Sequence, residues 1–176
     1  VFNQAIDEIL LKPLARLYIM VMPDRGRVVI SNIITNLKTP VVLANNLLQG
    51  DLARARATIA RFAVNTILGF GGMADVAADP GTPTHGEDFG QTAAVYGIGS
   101  GPYLMLPFLG PSNLRDAIGK VVDTFLDPLD HGLDDHDRLT RAGLEGLDRR
   151  AEYLDVSEAM EKTSIDYYAS IRSVFT

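Results

Sequence analysis

The sequence predicts an all-α fold, and three observations support this prediction. Apolar residues recur at spacings of three and four along most of the chain, as one face of a helix requires. Strict alternation of apolar and polar residues over the length of a strand is hard to find. Capping residues and prolines stand where several of the periodic patterns begin. At 176 residues the chain is long enough for one core, and we expect a single domain over residues 1–176.

Two helices are expected before residue 39. The first covers Phe2 to Met20 and is bent near Pro13, because proline inside a helix removes a backbone hydrogen bond. A break at Pro23 follows, and a second helix then continues to about Leu37, with apolar residues on one face.

Two further helices are expected up to residue 68. Thr39 followed by Pro40 is typical of an N-cap with proline at the first helical position, which predicts a new short helix that ends at Gly50. Asp51 is expected to cap the next helix, which continues to about Leu68.

Helical periodicity weakens after residue 72 and returns near residue 112. Residues 73–111 are predicted to be irregular, with short helices around 73–77 and 89–96. Ser112 is expected to cap a helix whose apolar stripe comprises Leu114, Ala117, Ile118, Val121, Val122, Phe125 and Leu126. The remaining expected elements are an acidic loop at 127–137 and helices near 140–154 and 164–175, the last with a capping box at Thr163 and Asp166.

Residues 89–114 carry no charged side chain, although five glycines and three prolines interrupt them. A membrane-spanning helix needs ~20 predominantly apolar residues in one unbroken run. Irregular backbone is tolerated at membrane depth only where protein covers it or where it lines a wet cavity. This segment is therefore expected either inside a helical domain or at a membrane boundary with helices around it.

Charge is distributed unevenly along the chain. Residues 1–61 hold eight Lys/Arg against four Asp/Glu, residues 62–114 hold four acids and no base, and residues 115–176 hold fourteen acids and eight bases. A basic front beside a charge-poor middle suits contact with anionic lipid headgroups, with a random surface distribution as the alternative. The sequence has no dense basic patch interleaved with aromatic residues, which argues against nucleic-acid binding.

The predicted helix at 51–68 carries a single narrow polar ribbon on an otherwise mostly apolar surface. The residues of this ribbon recur at spacings of three and four, and they are Asp51, Arg54, Thr58, Arg61 and Asn65. A helix that is apolar over most of its girth is buried in a core or in lipid. Two interpretations are therefore open. The helix is either a core helix with one solvent-exposed edge, or it lies in a membrane interface and its polar ribbon faces a hydrated groove.

The residues form no recognisable catalytic constellation, and we predict neither an enzyme nor a cofactor. His131 and His136 lie in the acidic tract 127–137, which could ligate a divalent ion, but the spacing matches neither an EF-hand nor H-E-x-x-H. A solvated acidic loop is the preferred interpretation of that tract. Ser100 lies among glycines without G-x-S-x-G spacing. A lipid hydrolase that pairs Ser100 with His85 is the enzymatic alternative.

A family resemblance rests on five segments that cover nearly the whole chain in order. They are FNQAIDEILLKPLARLY (2–18), SNIITNLKTPVVLANNLLQGD (31–51), RFAVNTILGFGGMADVA (61–77), HGEDFGQTAAVYGIGSGPYLMLPFLGPSNLRDAIG (85–119) and GLEGLDRRAEYLD (143–155). These segments closely resemble the MlaA (VacJ) lipoproteins, and the block at 87–116 is highly specific.

The resemblance implies a phospholipid transporter on the periplasmic side of the Gram-negative outer membrane. Such a protein removes phospholipids mislaid in the outer leaflet and passes them to a soluble periplasmic carrier. The implied fold is a ring of amphipathic helices embedded in the inner leaflet around a polar channel, associated with a trimeric porin. We expect residues 1–126 to form the ring and residues 127–176 to face the periplasm. A structural adaptor that clamps a porin is a further alternative.

The resemblance also suggests which residues line and gate the channel. Candidates for the lipid path are Asn32, Asn36, Arg54, Thr58, Arg61 and Asn65. Arg54 and Arg61 are expected to attract the phosphate of a headgroup. Candidates for gating are Phe2, Asn3, Gly97, Gly99 and Gly101, with ordinary turn chemistry as the alternative for the glycines. The lipid-bearing N-terminal cysteine of the family is missing, and Val1 lies within a helical pattern, so we expect a chain trimmed at its front.

Overall fold

A computed structural model of the chain describes residues 6–78, 84–106, 110–154 and 156–157. Over these residues the elements are a π-helical segment (Asp7–Leu11), α1 (Lys12–Val21), α2 (Asp24–Leu48), α3 (Leu52–Ile67), α4 (Phe89–Val95), β1 (Tyr103–Leu106), β2 (Gly110–Asn113), α5 (Leu114–Leu126) and α6 (Asp135–Glu152). In the described ranges no helix combines the length and the apolar character that crossing a membrane requires. The chain is therefore helical, with one small sheet that the sequence did not predict.

The predicted first helix is present in the part of it that the structure describes. A π-helical segment precedes α1, and the change of helix type lies next to Pro13, where a bend was predicted. Pro13 occupies the first turn of α1, where its missing N–H would have no partner within the helix. Ala15 on this helix is fully buried, and the helix packs on α6.

The predicted break at Thr39 and Pro40 is wrong, because α2 continues through both residues. Proline in a helix interior costs about 3 kcal/mol, so burial elsewhere must offset that cost. Val41 and Asn45, which follow the proline, are buried, and α2 packs along α3. Sequence signals for a helix start are local, whereas this helix is held together by its neighbours.

The predicted N-cap of α3 is confirmed, because the Asp51 side chain accepts a hydrogen bond of 2.9 Å from the Arg54 backbone N–H. The turn that follows α3 folds back against α2. Gly72 in this turn has a φ of +91°, and a Cβ built on it would lie 2.4 Å from the Cβ of Asn36. Glycine is therefore required at position 72 by both conformation and space.

The chain between α3 and α5 departs in part from the prediction. Residues 73–77 form turns rather than a short helix, whereas the predicted helix at 89–96 is confirmed as α4. The two short strands pair antiparallel, from Tyr103 opposite Asn113 to Leu106 opposite Gly110. A four-residue strand that includes proline leaves too little alternation to be recognised in a sequence.

The start of α5 differs from the prediction by one residue. Ser112 lies in β2 and is fully buried, while the Asn113 side chain caps the helix by accepting a hydrogen bond of 2.9 Å from the Asp116 N–H. The helices α4 and α5 then approach very closely, since a Cβ on Gly119 would lie 2.4 Å from the backbone nitrogen of Gly90.

The predicted acidic loop is shorter in the structure, because α6 begins at Asp135. Asp134 caps the helix by accepting a hydrogen bond of 2.9 Å from the Asp137 N–H. Acidic residues in a first turn are favoured by the positive end of the helix dipole, so this acidic stretch promotes a helix start. The helix predicted near 164–175 and its capping box lie outside the described residues.

Polar and apolar side chains are distributed unlike those of a typical water-soluble domain. The largest fully buried side chains in the described ranges are Asn45, Asn46, Thr92 and Ser112. Large apolar side chains face outward instead, such as Phe70 at 81% exposure, Ile9 at 79% and Phe125 at 72%. The apolar stripe of α5 is part of this outer surface, since its members Leu114, Ile118, Val121 and Phe125 are exposed. The described part of the molecule therefore buries several polar side chains beside small apolar ones, while many of its large apolar side chains are exposed.

Candidate functional site

The candidate site is a cavity of about 450 Å³ between α2, α3, α6 and the segment at 84–86. From α2 it is lined mainly by Ser31, Asn32, Thr35, Asn36, Lys38 and Thr39. From α3 it is lined by Thr58, Arg61, Phe62 and Asn65. The helical spacing of three and four places each of these sets on one face of its helix. Most of the lining residues carry an amide, a hydroxyl or a charged group, although carbon atoms form the larger part of the exposed wall.

The structure brings together five of the six residues predicted for a lipid path. They are Asn32, Asn36, Thr58, Arg61 and Asn65. Arg54 is not among the residues that line the cavity, although it lies on the same helix. Its Nη1 donates a hydrogen bond of 2.5 Å to Oε1 of Glu87, and its side chain is 55% exposed.

The amides of the cavity wall tie α2 and α3 to the turn that follows α3. Asn36 Nδ2 donates to Thr66 Oγ1 over 3.1 Å, and Asn32 Nδ2 donates to the Met73 carbonyl over 3.3 Å. Asn65 donates to Asp75 over 2.8 Å and accepts from the Ala77 N–H over 2.9 Å. These contacts fix the wall, and they leave polar groups facing the cavity.

The Arg61 guanidinium is largely buried, with 12% of its side chain exposed. Its Nη2 donates to both carboxylate oxygens of Asp75 over 2.8 Å and to Thr84 Oγ1 over 2.7 Å. Its Nη1 donates to the Ala77 carbonyl over 2.7 Å. The positive charge predicted to attract phosphate is therefore balanced by Asp75 within the wall itself.

A buried polar network lies behind the cavity wall and was not predicted. Asn46 Nδ2 donates to Thr58 Oγ1 over 3.0 Å, and Nε2 of His85 lies 3.4 Å from both groups. Asn45 Nδ2 donates to Asp123 over 2.8 Å, while its Oδ1 accepts from the Thr92 hydroxyl over 2.7 Å. The two adjacent asparagines of α2 indicate such a network in the sequence, because asparagine is unfavourable inside an apolar helix unless its side chain has a hydrogen-bond partner.

Asp123 connects this network to α5. It accepts hydrogen bonds from Asn45 and from the Phe89 N–H, the latter at 3.1 Å and 3.2 Å to its two oxygens. Burial raises the pKa of the Asp123 carboxyl above its usual value, and these two hydrogen bonds oppose that shift. The network therefore joins an ionisable carboxyl on α5 to neutral amides and hydroxyls.

The fourth wall is α6, which contributes four charged residues to the cavity. They are Glu145, Asp148, Arg149 and Glu152. The spacing of three, one and three places these four residues on one face of the helix, and this spacing is visible in the sequence. Lys38 of α2 forms an ion pair with Glu145, and burial lowers the pKa of the Lys38 ammonium while Glu145 opposes that shift.

Tyr18 of α1 attaches α6 from its other side. Its hydroxyl donates to Asp148 over 3.0 Å. Burial, followed by the effect of the Asp148 carboxylate, raises the pKa of Tyr18 to about 12. The phenol of Tyr18 therefore stays neutral and donates its hydrogen bond to Asp148 next to the cavity.

The gating candidates lie apart from the cavity lining. Phe2 and Asn3 fall outside the described residues. Gly97 and Gly101 have φ values of +82° and +69°, a conformation that favours glycine, whereas the φ of Gly99 lies outside that region. A hinge role for these glycines stays a prediction.

The arrangement suits binding and passage, and it lacks the contacts of a nucleophile with its base. The His85 ring faces Asn46 and Thr58, whereas the hydrogen bond at Ser100 is accepted by its carbonyl from the Arg115 N–H over 3.2 Å. Two of the acids weighed for a metal site pair with a cation instead, since Arg141 contacts Asp127 and Asp130 over 2.6 Å and 2.9 Å. No cluster of three potential metal ligands occurs in the described ranges.

Comparisons with known proteins agree with this architecture. The family model described as MlaA lipoprotein matches residues 1–176. The chain is 37% identical to the Escherichia coli protein named intermembrane phospholipid transport system lipoprotein MlaA, over 99% of this chain and 69% of that protein. An uncharacterised Rickettsia conorii protein is 35% identical, over 98% of this chain and 69% of the relative. The Haemophilus influenzae MlaA lipoprotein is 29% identical, over 99% and 71%.

A solved structure from work on the maintenance of bacterial outer membrane lipid asymmetry also matches. The TM-score is 0.84 at 34% identity, and the match covers 99% of this chain and 92% of that chain. This likeness confirms the predicted all-α class of amphipathic helices. The family match over the whole length, together with the shared fold, identifies the chain as a member of the MlaA lipoprotein family.

Proposed function

We propose that this chain transports phospholipids in the Gram-negative outer membrane and so maintains the lipid asymmetry of that membrane. Relatives that cover nearly the whole chain are named for intermembrane phospholipid transport. The observation that carries the proposal is the combination of an apolar exterior with a polar cavity.

The apolar exterior suits helices that lie within lipid. Burying a large apolar side chain is worth about 1.5–3 kcal/mol relative to leaving it in water, so a surface rich in such side chains favours hydrocarbon around it. The exposed residues of α5, such as Ile118 and Phe125, form one continuous helical stripe of this kind. Since the described helices are not spanning helices, they suit one leaflet rather than the whole bilayer.

The polar cavity suits the passage of a headgroup. A phospholipid that crosses an apolar region must keep its phosphate solvated, and amides, hydroxyls and paired ions replace water for this purpose. The cavity offers such groups on α2, α3 and α6 without an unpaired arginine at its wall, since Arg61 is neutralised by Asp75. Weak binding at every point allows the lipid to leave again.

The finer parts of the mechanism are also proposals. Transfer goes from the outer leaflet to a soluble periplasmic carrier, the protein lies in the inner leaflet, and a trimeric porin holds it there. Residues 1–126 form the embedded part and residues 127–176 the periplasmic part, with α6 closing the cavity between them. Transport needs no covalent step, so the protein acts without catalysis.

The test is transfer of labelled phospholipid from vesicles that contain the protein to a soluble lipid-binding acceptor. Thr35 lines the cavity and is exposed, so Thr35→Trp is expected to fill it and to slow transfer about tenfold, the effect of 1.4 kcal/mol. Thr124→Trp on the exposed side of α5 is the matched control and keeps normal transfer. Equal rates for both variants would contradict the proposal.

The hydrolase alternative has its own readout in the same vesicles. Lysolipid or free fatty acid released by the wild type and not by Ser100→Ala would replace transport with hydrolysis. We expect intact phospholipid in the acceptor and no lysolipid from either protein, because Ser100 and His85 make separate contacts.

A further inference from the structure

The charged residues around the cavity fall into three groups that differ in net charge. The first group is the pair of Arg61 and Asp75, whose charges cancel through two contacts of 2.8 Å. It lies between α3 and the segment that follows it, and it contributes no net charge to a passing headgroup. Selectivity for headgroup charge must therefore come from the other two groups.

The second group has a net charge of +1, because two cations share one carboxylate. Lys38 of α2 and Arg149 of α6 both pair with Oε1 of Glu145, the arginine over 3.3 Å. Arg149 is 58% exposed, so its guanidinium has donors left for another acceptor. This group is suited to a phosphate.

The third group has a net charge of −2 and consists of Asp148 and Glu152. Asp148 accepts a hydrogen bond from the Tyr18 hydroxyl, which leaves its charge uncompensated. Glu152 is exposed at the cavity, and no cation of the described residues forms an ion pair with either carboxylate. This group is suited to a cation that donates hydrogen bonds.

The second and third groups lie next to each other on one face of α6. Arg149 and Glu152 are three residues apart, which is about 4.5 Å along the helix axis at 1.5 Å per residue. A positive and a negative region at that spacing match a small headgroup in which a phosphate and an ammonium are joined by a short linker. The four cavity acids outnumber the three cavity bases, so the cavity as a whole is negative.

We propose that the cavity selects phospholipids with a zwitterionic aminophosphate headgroup, such as phosphatidylethanolamine, over anionic ones such as phosphatidylglycerol. This inference rests on the proposed transport function. The phosphate contacts Arg149 and Lys38, and the ammonium contacts Asp148 and Glu152. An anionic headgroup without an ammonium leaves both carboxylates uncompensated in a negative cavity and is repelled.

The experiment uses vesicles with equal amounts of phosphatidylethanolamine and phosphatidylglycerol of identical acyl chains. Mass spectrometry of the acceptor gives the ratio of the two lipids transferred. We expect the wild type to favour phosphatidylethanolamine about fivefold, the effect of one partly solvated charge interaction. In Asp148→Asn/Glu152→Gln the ratio is expected to fall to about one.

Two further variants separate selectivity from folding and from total charge. Asp135→Asn/Asp137→Asn makes the same change in net charge on α6 outside the cavity lining, and we expect the wild-type ratio. Glu152→Lys changes an exposed residue, so the fold is kept, and the ratio is expected to shift toward phosphatidylglycerol. A wild-type ratio in Glu152→Lys and in the double cavity variant would overturn the inference.

The outcomes also separate this inference from the function on which it rests. Transfer of both lipids at equal rates by the wild type would overturn headgroup selection and leave transport standing. Absence of transfer of either lipid would overturn transport itself.

Discussion

Two walls of the same cavity are held in place by different chemistry. In the wall formed by α2 and α3, neutral groups join the two helices, with amide-to-hydroxyl hydrogen bonds from Asn36 to Thr66 and from Asn46 to Thr58. The Arg61–Asp75 ion pair ties α3 to the segment that follows it. The wall formed by α6 packs on α1 and is also held by ionic contacts. They are Lys38–Glu145, Arg150–Asp7 and Arg141 with Asp127 and Asp130.

This difference predicts how the two walls respond to their surroundings. Neutral hydrogen bonds in a buried network are insensitive to salt and costly to leave unmade. The ion pairs of α6 are partly buried, with 14% of Arg141 and 8% of Asp127 exposed, so salt screens them only in part. The α2–α3 wall is therefore the fixed frame of the cavity, and α6 is the wall that loosens first.

The glycines of the two walls also differ in the space around them. A Cβ added to Gly72 would overlap the side chain of Asn36 in α2, at 2.4 Å from its Cβ. A Cβ added to Gly143 or Gly146 in α6 would meet nothing within 4 Å. Gly72 lies inside the contact between its turn and α2, whereas Gly143 and Gly146 lie on the exposed side of α6.

The largest effect is expected from breaking the neutral frame at Asn45. Asn45→Ala removes the partner of Asp123 and of Thr92, and we expect the free energy of unfolding to fall by about 3 to 4 kcal/mol. Asn32→Ala is the control, because its hydrogen bond to Met73 is exposed and should cost less than about 1 kcal/mol. Thermal or denaturant unfolding in detergent measures both, and similar losses would refute a special role for the buried amides.

Two glycine substitutions test this difference, because they are expected to change the free energy of unfolding in opposite directions. Gly72→Ala is expected to destabilise by about 2 to 3 kcal/mol, because both the φ of +91° and the contact with Asn36 oppose a Cβ. Gly146→Ala is expected to stabilise by about 0.5 to 1 kcal/mol, since alanine favours a helix interior. A loss of stability in Gly146→Ala would mean that α6 is as closely packed as the frame.

The ionic wall is tested at Arg141. Arg141→Met leaves Asp127, whose side chain is only 8% exposed, without its counter-charge and is expected to cost about 2 kcal/mol. Arg138→Met is the control, since its pair with Asp135 is exposed and should change stability by no more than about 0.5 kcal/mol. Hydrogen exchange of the α6 amides measures both variants.

Salt sharpens the same test. In 1 M salt the exchange of the wild-type α6 amides is expected to rise part of the way toward that of Arg141→Met, because the ion pairs are partly buried, while the amides of α2 keep their protection. Protection of α6 that is independent of salt would show that apolar contacts, and not ion pairs, hold this wall.

The smallest effect is expected from Asp123, the carboxyl of α5 that Asn45 of the frame contacts. Burial raises the pKa of Asp123, so its protonated form is favoured by folding. The stability that this group contributes is present below its unfolded pKa and is lost as the pH rises through its folded pKa. Asp123→Asn keeps an acceptor for Asn45 and Phe89, and it should remove this pH dependence while unfolding is otherwise unchanged. Identical pH profiles of unfolding in the two proteins would refute the assignment.

Residue patterns within a single helix correctly predicted those features that depend only on neighbouring residues in the sequence. The Asp51 cap and the polar ribbon of α3 depend on spacing within one helix, and both are present in the structure. Thr58, Arg61 and Asn65 of the ribbon line the cavity together, whereas Arg54 pairs with Glu87 and is not part of that lining, so its place on a lipid path stays a prediction. A partner from another segment decided the position of Arg54.

The missed features all depend on contacts between distant segments. The continuity of α2 through Pro40 rests on packing against α3, and the burial of Asn45 and Asn46 rests on partners that include Thr92 and Thr58. The return of α6 to the cavity rests on ion pairs such as Lys38 with Glu145, 107 residues apart. Sequence periodicity carries no information about such pairs.

The sequence by itself determined a helical chain with amphipathic surfaces, its capped starts and its family, because each of these follows from residue order over short windows or from likeness along the chain. Only the tertiary structure decided which surface faces inward. The sequence of an amphipathic helix does not determine whether its polar or its apolar side is buried. That choice depends on the solvent around the protein and on the side chains that the helix contacts in the interior. Here the buried partners are amides, hydroxyls and ions, and the apolar sides face out.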